Sequence, residues 1–296
     1  MKSLKLRSPA KLNLFLKVHA KRPDGFHNIT TLFERISLHD DIHLQTTTTG
    51  LIRVYCQNPD VPTGPKNLCF KMAALLKKDF QIAQGVNISI KKRIPVAAGL
   101  GGGSSNAATV LLGLNKLWKL NLTKNQMVAY AQKIGSDVAF FLYQCSWALG
   151  TQRGDKIEII KLPTKLWHVL VCPRIKIYSA EIYQSLKKAG GKKRQLPKNL
   201  LTKKDDDVNI LLSKLRNNNI IKACCFLKND LEDAIMKKAP QLLGLKERLK
   251  AFNPQGVMTS GSGPTVFCIT QDLVQARKTK AALDKRFSQV WVVRTF

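Results

Sequence analysis

Acidic residues are scarce in this chain of 296 residues: 19 aspartates and glutamates stand against 49 lysines and arginines, giving a formal net charge of +30. The segment from Phe80 to Ser136 contains no carboxylate, although it carries Lys91, Lys92 and Arg93. Such an excess would attract nucleic acid or an anionic membrane surface. The lysines are dispersed, however, and no basic stripe alternates with aromatic residues as a nucleic-acid channel requires. We therefore expect an anionic small-molecule substrate and no dedicated nucleic-acid partner.

Paired cysteines and long apolar runs are also missing. The seven cysteines show no C-x-x-C spacing, and the five histidines are not spaced as ligand pairs with them, which argues against a zinc site. An odd number of cysteines argues against a disulfide framework and indicates a reducing, cytoplasmic location. The longest apolar block, Val138–Tyr143, is far shorter than the roughly 20 residues of a membrane span. Basic residues interrupt the N-terminal region, so we expect no signal peptide and no membrane association.

The most informative segment that is present is a glycine-rich run followed by a helical pattern. Glycines leave backbone N–H groups free to converge on one point, and from Asn106 onward apolar residues recur at helical spacing. A glycine loop that leads into a helix N-terminus combines free amide donors with the positive end of the helix dipole, which makes it a phosphate site. We expect a side chain at Gly102 to intrude where the phosphate approaches. The run comprises Pro95, Val96, Ala97, Ala98, Gly99, Leu100, Gly101, Gly102, Gly103, Ser104 and Ser105.

This loop does not follow the two commonest phosphate-binding patterns. The Walker loop requires a lysine directly after its last glycine, whereas Gly103 is followed by Ser104. The dinucleotide fingerprint requires a third glycine where Ser104 stands and an acidic residue about 20 positions later, and both are missing. A flexible linker is the structural alternative. It fits poorly between the β-like run Val86–Ile90 and a helix that begins at once.

The run Pro-x-x-x-Gly-Leu-Gly-Gly-Gly-Ser-Ser resembles the ATP loop of the GHMP kinases, which include galactokinase, homoserine kinase and mevalonate kinase. Residues 8–16 and 258–267 are similar to the N-terminal motif and the C-terminal glycine loop of that family. The resemblance implies ATP with Mg2+, an N-terminal domain like the second domain of ribosomal protein S5, a ferredoxin-like C-terminal domain, and an active site in the cleft between them. Interspersed helical and strand patterns independently predict an α+β fold.

Two domains are expected along the chain. We predict an ATP-binding domain over residues 1–163 and a C-terminal domain over residues 164–296, and it stays open whether the last strand packs back on the first domain. The lysine-rich stretch 187–204 is predicted to form a surface loop. The oligomeric state, monomer or homodimer, also stays open.

Asp137 is the candidate proton acceptor, because it is the sole carboxylate from Phe80 through Gly154 and it precedes an apolar run. Phosphoryl transfer needs positioned reactants, neutralised charge and a group that takes the proton of the attacking hydroxyl. From the residues alone, a helix N-cap is an equal alternative for Asp137. The resemblance assigns catalytic roles to Asp137 and to Lys11, a residue that would otherwise be interpreted as a solvated lysine. Lys11 would either favour the ionised form of Asp137 or polarise the acceptor hydroxyl.

The segment Arg22–His27 is similar to that of GHMP kinases whose substrate carries cytidine diphosphate. The resemblance implies that Phe26 stacks on the cytosine and that His27 hydrogen-bonds the base edge. The family has tyrosine more often at the position of Phe26, and an aromatic ring in such a loop could instead fold back into the core. Asn67 matches a position near the adenine, although a helix N-cap would look the same. Further substrate contacts are expected from Asn13, Ser179 and Tyr183, the last as the opposite side of the aromatic clamp.

These observations predict an ATP-dependent kinase for a small cytidine diphosphate substrate. Ser104 or Ser105 is expected to reach the phosphates or Mg2+, while the acidic Mg2+ ligand of other GHMP kinases has no counterpart here, so protein ligands of the metal stay unassigned. One alternative is a GHMP kinase for homoserine or a mevalonate derivative, substrates without a base to stack. The other is a non-catalytic RNA-binding protein, for which RNA affinity would depend on salt and the loss of Asp137 would not matter.

Overall fold

A computed structural model describes residues 2–188, 206–283 and 289–296, in which strands and helices alternate and confirm the α+β prediction. Residues 189–204 of the predicted lysine-rich loop lie outside the described residues. The strands are β1 (Ser3–Lys21), β2 (His27–Thr47), β3 (Ile52–Cys56), β4 (Gly85–Lys91), β5 (Trp147–Thr151), β6 (Lys156–Ile159), β7 (Trp167–Cys172), β8 (Lys228–Asn229), β9 (Gly256–Thr259), β10 (Val266–Thr270) and β11 (Gln289–Arg294). The helices are α1 (Leu68–Asp79), α2 (Gly102–Leu117), α3 (Lys124–Ile134), α4 (Val138–Leu142), α5 (Ser179–Lys188), α6 (Asp206–Arg216), α7 (Ile220–Cys224), α8 (Glu232–Lys238), α9 (Gln241–Lys250) and α10 (Leu273–Ala282).

The chain divides into two compact units. The first unit comprises Met1–Ala10, Leu38–Val96 and Gly101–Cys145, and the second comprises Lys11–Ser37, Ala97–Leu100 and Ser146–Phe296. The strands β1 and β2 and the glycine-rich run each contribute residues to both units. A domain boundary near residue 163, which was placed from sequence patterns, stays a prediction.

In the first unit, β2 pairs antiparallel with β4, and β4 pairs parallel with β3. Leu44 and Ile88 are opposite each other in this register, and both are fully buried. Paired residues point to the same face of a sheet, so both side chains belong to its buried face. Helix α2 packs against α1 and α4. A Cβ at Gly113 of α2 would collide with Leu44, so the missing side chain lets the helix lie close to the sheet. This packing fixes the position of the N-terminus of α2.

In the second unit, an antiparallel sheet runs in the order β11-β7-β10-β9. Val169 of β7 pairs with Cys268 of β10 and with Val292 of β11. The residues of β7 and β10 are buried on both faces, as is typical of central strands, with the exception of the half-buried Trp167. Elsewhere in this unit, β2 pairs with β5, which places Thr31 opposite Gly150, and β1 pairs parallel with β8. The core of the unit includes Leu16, Val171, Ile182, Leu231, Ile235, Leu242, Leu245, Leu249, Val266 and Ala276.

Local sequence signals explain some helix ends and not others. Thr123 caps α3 in a full capping box with Gln126, and threonine is a favoured residue at this position. Gly135 ends that helix with φ 175°, which is extended backbone and not the left-handed conformation of a typical C-terminal glycine. Helix α2 begins at Gly102, four residues before the start at Asn106 that the apolar pattern indicates. The apolar pattern misses this turn because Gly102–Ser105 contribute no apolar side chains to it.

In the ranges that the structure describes, no helix is both long enough and apolar enough to cross a membrane; the longest, α2, has 16 residues. All seven cysteines lie in these ranges and have free thiols.

Candidate active site

The glycine-rich run ends at the N-terminus of α2, in the first unit. Gly101 occupies the N-cap position with φ 68°, a left-handed conformation that favours glycine, and no side chain among the described residues caps the helix there. No acidic residue lies in the first turn. The first amides of α2 therefore lie at the positive end of the helix dipole without a capping side chain, a geometry that suits an anion.

Only one of the two glycines that begin α2 faces outward. A Cβ at Gly102 would lie 2.9 Å from Ile94 Cγ2 and 2.9 Å from Lys92 Nζ, so this position borders protein atoms. The reason expected for a glycine at Gly102, an approaching phosphate, is therefore wrong. Gly103 is exposed, and a Cβ there would meet Leu68 Cδ1 at 3.7 Å, an ordinary van der Waals contact. Gly103 is thus the position where a phosphate can reach the backbone of the first turn.

A buried carboxylate, Asp40, lies beside this helix start. It accepts hydrogen bonds from Lys92 Nζ at 2.6 Å, from the backbone N–H groups of Arg93 at 2.7 Å and Ile94 at 2.8 Å, and from Asn106 Nδ2 at 2.9 Å. Asp40 therefore ties the backbone just before the glycine-rich run to the second turn of α2. Burial lowers the pKa of Lys92, and the charge of Asp40 opposes that effect.

Two serines extend this group, which we call the Asp40 cluster (Ser8, Asp40, Lys92, Ser105 and Asn106). Asn106 Nδ2 also donates to Ser8 Oγ at 2.9 Å, and the Ser8 hydroxyl donates to Ser105 Oγ at 2.8 Å. Ser105 is fully buried, whereas Ser104 is half-buried. Of the two serines expected near the phosphates, Ser104 is therefore the one that is not enclosed by the cluster.

In the second unit, Lys11 and Asn13 of β1 form the centre of another buried polar group. Lys11 Nζ donates to Asn13 Oδ1 at 2.6 Å and to the carbonyl oxygen of Gly99 at 3.0 Å. The backbone N–H of Lys11 donates to Leu100 O at 3.0 Å. Lys11 is only 3% exposed, so the alternative of a solvated lysine is wrong. We call Lys11, Asn13, Thr31, Gly99 and Ser260 the Lys11 cluster.

The C-terminal glycine loop packs directly on Gly99 within the second unit. Gly99 has φ 79°, and a Cβ there would collide with the carbonyl oxygen of Ser260 and lie 2.7 Å from Gly263 N. Ser260 Oγ donates to Gly99 O at 3.1 Å. Only glycine permits both the left-handed backbone and this close approach. The loop thereby holds the segment Ala97–Leu100 against Lys11.

The expected base-binding residues form an aromatic group in the second unit. Phe26 is 51% exposed, so the alternative in which it folds into the core is wrong. The guanidinium of Arg153 lies 5.1 Å from the centroid of the Phe26 ring, a cation–π contact. His27 stacks on Tyr183 with ring centroids 5.9 Å apart and planes 29° from parallel. His27 Nε2 is buried and has no hydrogen-bond partner among the described residues, while Nδ1 lies 3.1 Å from His19 O.

The remaining predicted residues, Asn67, Ser179 and Asp137, lie at the starts of three different helices. Asn67 caps α1, because its Oδ1 accepts from Cys69 N at 2.7 Å, and its Nδ2 donates to Pro62 O at 2.6 Å. Ser179, the first residue of α5, lies with its Oγ 2.5 Å from Ser262 Oγ. Asp137 is half-buried directly before α4, and in the described chain its carboxylate makes no hydrogen bond to the first-turn amides. Asp137 thus occupies the N-cap position of α4, but its side chain does not make the capping hydrogen bond. Its role as proton acceptor and the adenine contact of Asn67 stay predictions.

Asp40, Thr31 and Arg153 are among the residues of these groups that were not predicted from sequence. Asp40 is far from its partners along the chain, so no local pattern marks it. Thr31 and Arg153 look like ordinary strand and turn residues, and only their contacts with Asn13 and Phe26 distinguish them. In the described parts of the chain, no group of three or more His, Cys, Asp or Glu side chains is arranged to hold a metal ion.

Two family descriptions match the chain. Residues 67–145 match the N-terminal domain of the GHMP kinases, and residues 201–289 match their C-terminal domain. The 4-diphosphocytidyl-2-C-methyl-D-erythritol kinase of Geobacillus kaustophilus is 40% identical over 292 residues, which cover 98% of this chain and 96% of that protein. The enzyme of the same name from Bacillus subtilis is 38% identical over 288 residues, 97% and 95% of the two chains.

Solved structures resemble the chain over its whole length. The crystal structure of a 4-(cytidine 5'-diphospho)-2C-methyl-D-erythritol kinase superposes with a TM-score of 0.77 at 28% identity and covers 98% of each chain. The homoserine kinase of Cytophaga hutchinsonii gives a TM-score of 0.71 at 17% identity, covering 100% of this chain and 95% of that one. A likeness at this low identity shows a shared fold alone.

Proposed function

Because the chain belongs to the GHMP kinase family, as its two domain matches and its full-length relatives show, we propose that it phosphorylates 4-diphosphocytidyl-2-C-methyl-D-erythritol. It transfers the γ-phosphoryl group of ATP to the 2-hydroxyl and releases ADP, a step in the biosynthesis of isoprenoid precursors. Relatives that match at 38–40% identity over 97–98% of the chain carry the name of this kinase. The family assignment supports the reaction class, and the aromatic group supports the substrate.

The ATP phosphates bind to the glycine-rich run in this proposal. Gly101 leaves the start of α2 without a side-chain cap, and exposed Gly103 lets a phosphate approach the first-turn amides. Mg2+ binds together with ATP in this proposal. Ser104 offers it a hydroxyl, because the Asp40 cluster encloses Ser105 but not Ser104. Lys92 does not serve the phosphates directly, because its ammonium is paired with Asp40 inside the protein.

The chemical step requires a proton acceptor and a positive charge. Asp137 accepts the proton of the 2-hydroxyl as its oxygen attacks the γ-phosphorus and the bond to the β-phosphate oxygen breaks. Lys11 places a positive charge beside the reacting groups, where it either favours the ionised form of Asp137 or polarises the 2-hydroxyl. Asn13 and Gly99 support this role of Lys11, because their oxygens hold its ammonium in one place.

The observation that carries the choice of substrate is the group formed by Phe26, His27 and Tyr183. It offers an exposed aromatic face and, next to it, a buried ring nitrogen of His27 without a partner among the described residues. A cytosine ring can stack on the first, a contact worth roughly 1–3 kcal/mol, and its edge can hydrogen-bond to the second. Homoserine and mevalonate have no base to satisfy either group, so this observation disfavours them.

A panel of substrates tests the proposal. The purified full chain with ATP and Mg2+ is offered 4-diphosphocytidyl-2-C-methyl-D-erythritol, homoserine, mevalonate and phosphomevalonate, and ADP release is followed by a coupled assay. We expect turnover with the cytidine substrate alone. Turnover with homoserine or a mevalonate derivative in its place would refute the substrate assignment. No turnover with any of them, together with salt-dependent RNA binding, would favour the RNA-binding alternative.

The aromatic group is tested with Phe26→Ala. We expect the KM for the cytidine substrate to rise at least tenfold, because a stacking face is lost, while the KM for ATP changes less than twofold. Phe80→Ala is the matched control, since Phe80 is another partly exposed phenylalanine, at 37%, in the first unit. Equal increases in both KM values would remove the base-stacking role of Phe26.

A further inference from the structure

The orientation of the Asn13 amide has a specific cause inside the second unit. An asparagine amide has an accepting oxygen on one side and a donating NH2 group on the other, and the two orientations have nearly the same shape. Here Oδ1 faces Lys11 Nζ at 2.6 Å, and Nδ2 donates to Thr31 Oγ1 at 2.7 Å. The opposite orientation would place the NH2 group against the ammonium, two donors with no acceptor between them.

Thr31 is buried and cannot exchange its hydroxyl contact for water. It is 0% exposed, and Asn13 is 2% exposed. An amide NH2 group at this depth must find a protein acceptor, since a buried donor without a partner is costly. The threonine hydroxyl therefore supplies the second of the two contacts that hold the amide, the first being Lys11 itself.

The side chain of Thr31 is in turn held by its neighbour across the sheet. Thr31 of β2 pairs with Gly150 of β5, and a Cβ at Gly150 would lie 3.0 Å from Thr31 Cγ2. The threonine methyl therefore occupies the space that a side chain at Gly150 would need. A β-branched residue whose methyl is packed in this way keeps one χ1 rotamer, which leaves the hydroxyl directed at Asn13.

The next residue on the same face of β2 also faces Lys11. Phe33 follows Thr31 at the two-residue spacing that places side chains on one face of a strand. Lys11 Nζ lies 5.9 Å from the centroid of the Phe33 ring, and the ring is 1% exposed. One face of β2 thus borders the lysine directly through Phe33 and indirectly through Thr31.

We propose that Thr31 is a positioning residue for Lys11, because its hydroxyl fixes the Asn13 amide that presents Oδ1 to the lysine ammonium. Without this acceptor the amide has no partner for its NH2 group and turns to find another, and Lys11 Nζ then loses its contact with Asn13 Oδ1. This inference rests on the catalytic role of Lys11 in the proposed function. It predicts an effect on the rate of the chemical step and not on the binding of either substrate.

Thr31→Val tests this role, because valine keeps the shape of threonine and removes the acceptor. We expect kcat to fall about tenfold while the KM values for ATP and for the cytidine substrate stay within twofold. Thr31→Ser, which restores a hydroxyl, should recover most of the loss. Thr30→Val is the matched control on the opposite face of β2, where the threonine hydroxyl lies 2.8 Å from His19 Nε2, and it should leave kcat within twofold.

A double-mutant cycle separates this role from simple packing. If Thr31 acts through Asn13, Thr31→Val should cost nothing further in an Asn13→Ala background. If the two substitutions instead lower kcat independently, so that their factors multiply in the double mutant, the inference is overturned. A folded Thr31→Val enzyme with unchanged kcat would overturn it as well. If Thr31→Val does not fold, Thr31→Ala replaces it in the same cycle. A failure of the proposed function would be recognised separately, since the unmodified chain would then be inactive with the cytidine substrate.

Discussion

Two buried polar groups in the described parts of the chain each contain a lysine, but they hold it in different ways. In the first unit, Lys92 pairs at 2.6 Å with Asp40, a carboxylate that also accepts two backbone N–H groups and an asparagine amide. In the second unit, the ammonium of Lys11 donates to two uncharged oxygens, those of Asn13 and Gly99. Lys92 is paired with a carboxylate, whereas the contacts of Lys11 within its cluster are to the uncharged oxygens of Asn13 and Gly99.

This difference suggests a division of labour between the two clusters. A buried ion pair whose remaining lone pairs are satisfied is a structural element, and breaking it leaves an uncompensated charge in the interior. The Asp40 cluster joins the strand end before the glycine-rich run to the helix after it, which is a role in holding the loop. The Lys11 cluster holds the side chain that the family resemblance assigns to catalysis. We therefore expect substitutions that remove contacts in the Asp40 cluster to reduce stability, and those that remove contacts in the Lys11 cluster to reduce turnover.

The largest effects should come from replacing each lysine with methionine, which keeps most of the side chain and removes the charge. Lys11→Met should lower kcat by about 10²–10³, because one positioned charge beside the reacting groups is lost. The lost contact with Asn13 Oδ1 should by itself cost about 1–2 kcal/mol of stability, because that buried oxygen then lacks its donor. Lys92→Met should lower the free energy of unfolding by roughly 3–5 kcal/mol, because Asp40 remains as a buried charge. Urea denaturation and steady-state kinetics measure the two effects.

Two further variants serve as controls for this pair. Asp137→Asn should resemble Lys11→Met, with turnover reduced by about 10²–10⁴ and ATP binding retained, since only the proton acceptor is lost.

Lys92→Met combined with Asp40→Asn should recover part of the stability, because no charge is then left unpaired. A Lys92→Met protein that is as stable as the unmodified chain but inactive would reverse the assignment of the two clusters.

A smaller effect should distinguish the two glycines at the start of α2. Gly102→Ala would press a Cβ against Ile94 and Lys92, so we expect a loss of stability and little change in the KM for ATP of the folded enzyme.

Gly103→Ala meets no such obstacle, and alanine is a better helix former than glycine. We expect it to keep or raise the melting temperature while the KM for ATP rises about tenfold. Calorimetric titration with ATP and thermal unfolding separate the two outcomes, and an unchanged ATP affinity in Gly103→Ala would argue against phosphate binding at this turn.

Those parts of the molecule whose signals are local can be predicted from sequence. The cap of α3 at Thr123, the strand around Lys11 and the hairpin of β9 and β10 all agree with patterns within about a dozen residues. The glycine-rich run also predicts a phosphate site at the start of α2, which stays a prediction. The exact start of that helix was missed, since the apolar pattern begins only at Asn106.

The hydrogen bonds that hold the site residues in place could not be predicted, because they join residues far apart in the chain. Asp40 meets Lys92 and Asn106 across 52 and 66 positions. Thr31 meets Asn13 across 18, with no pattern that marks the threonine as polar support. Gly102 illustrates the same limit: the sequence indicates a glycine that must stay small, but only the packing against Ile94 and Lys92 shows why.

The smallest expected effect uses Cys69 as a reporter beside the Asp40 cluster. Burial raises the pKa of its thiol to about 12, while nearby Lys92 lowers that pKa. At pH 8 this thiol is protonated in the folded protein, so its alkylation depends on local opening. Lys92→Met should speed the alkylation of Cys69 about fivefold relative to exposed Cys225, as followed by peptide mass spectrometry. Lys11→Met should leave that ratio unchanged. Removing the Lys92 cation by itself disfavours the thiolate, so a faster reaction can only come from a looser cluster, and an unchanged or slower one would show that Lys92 does not hold the cluster closed.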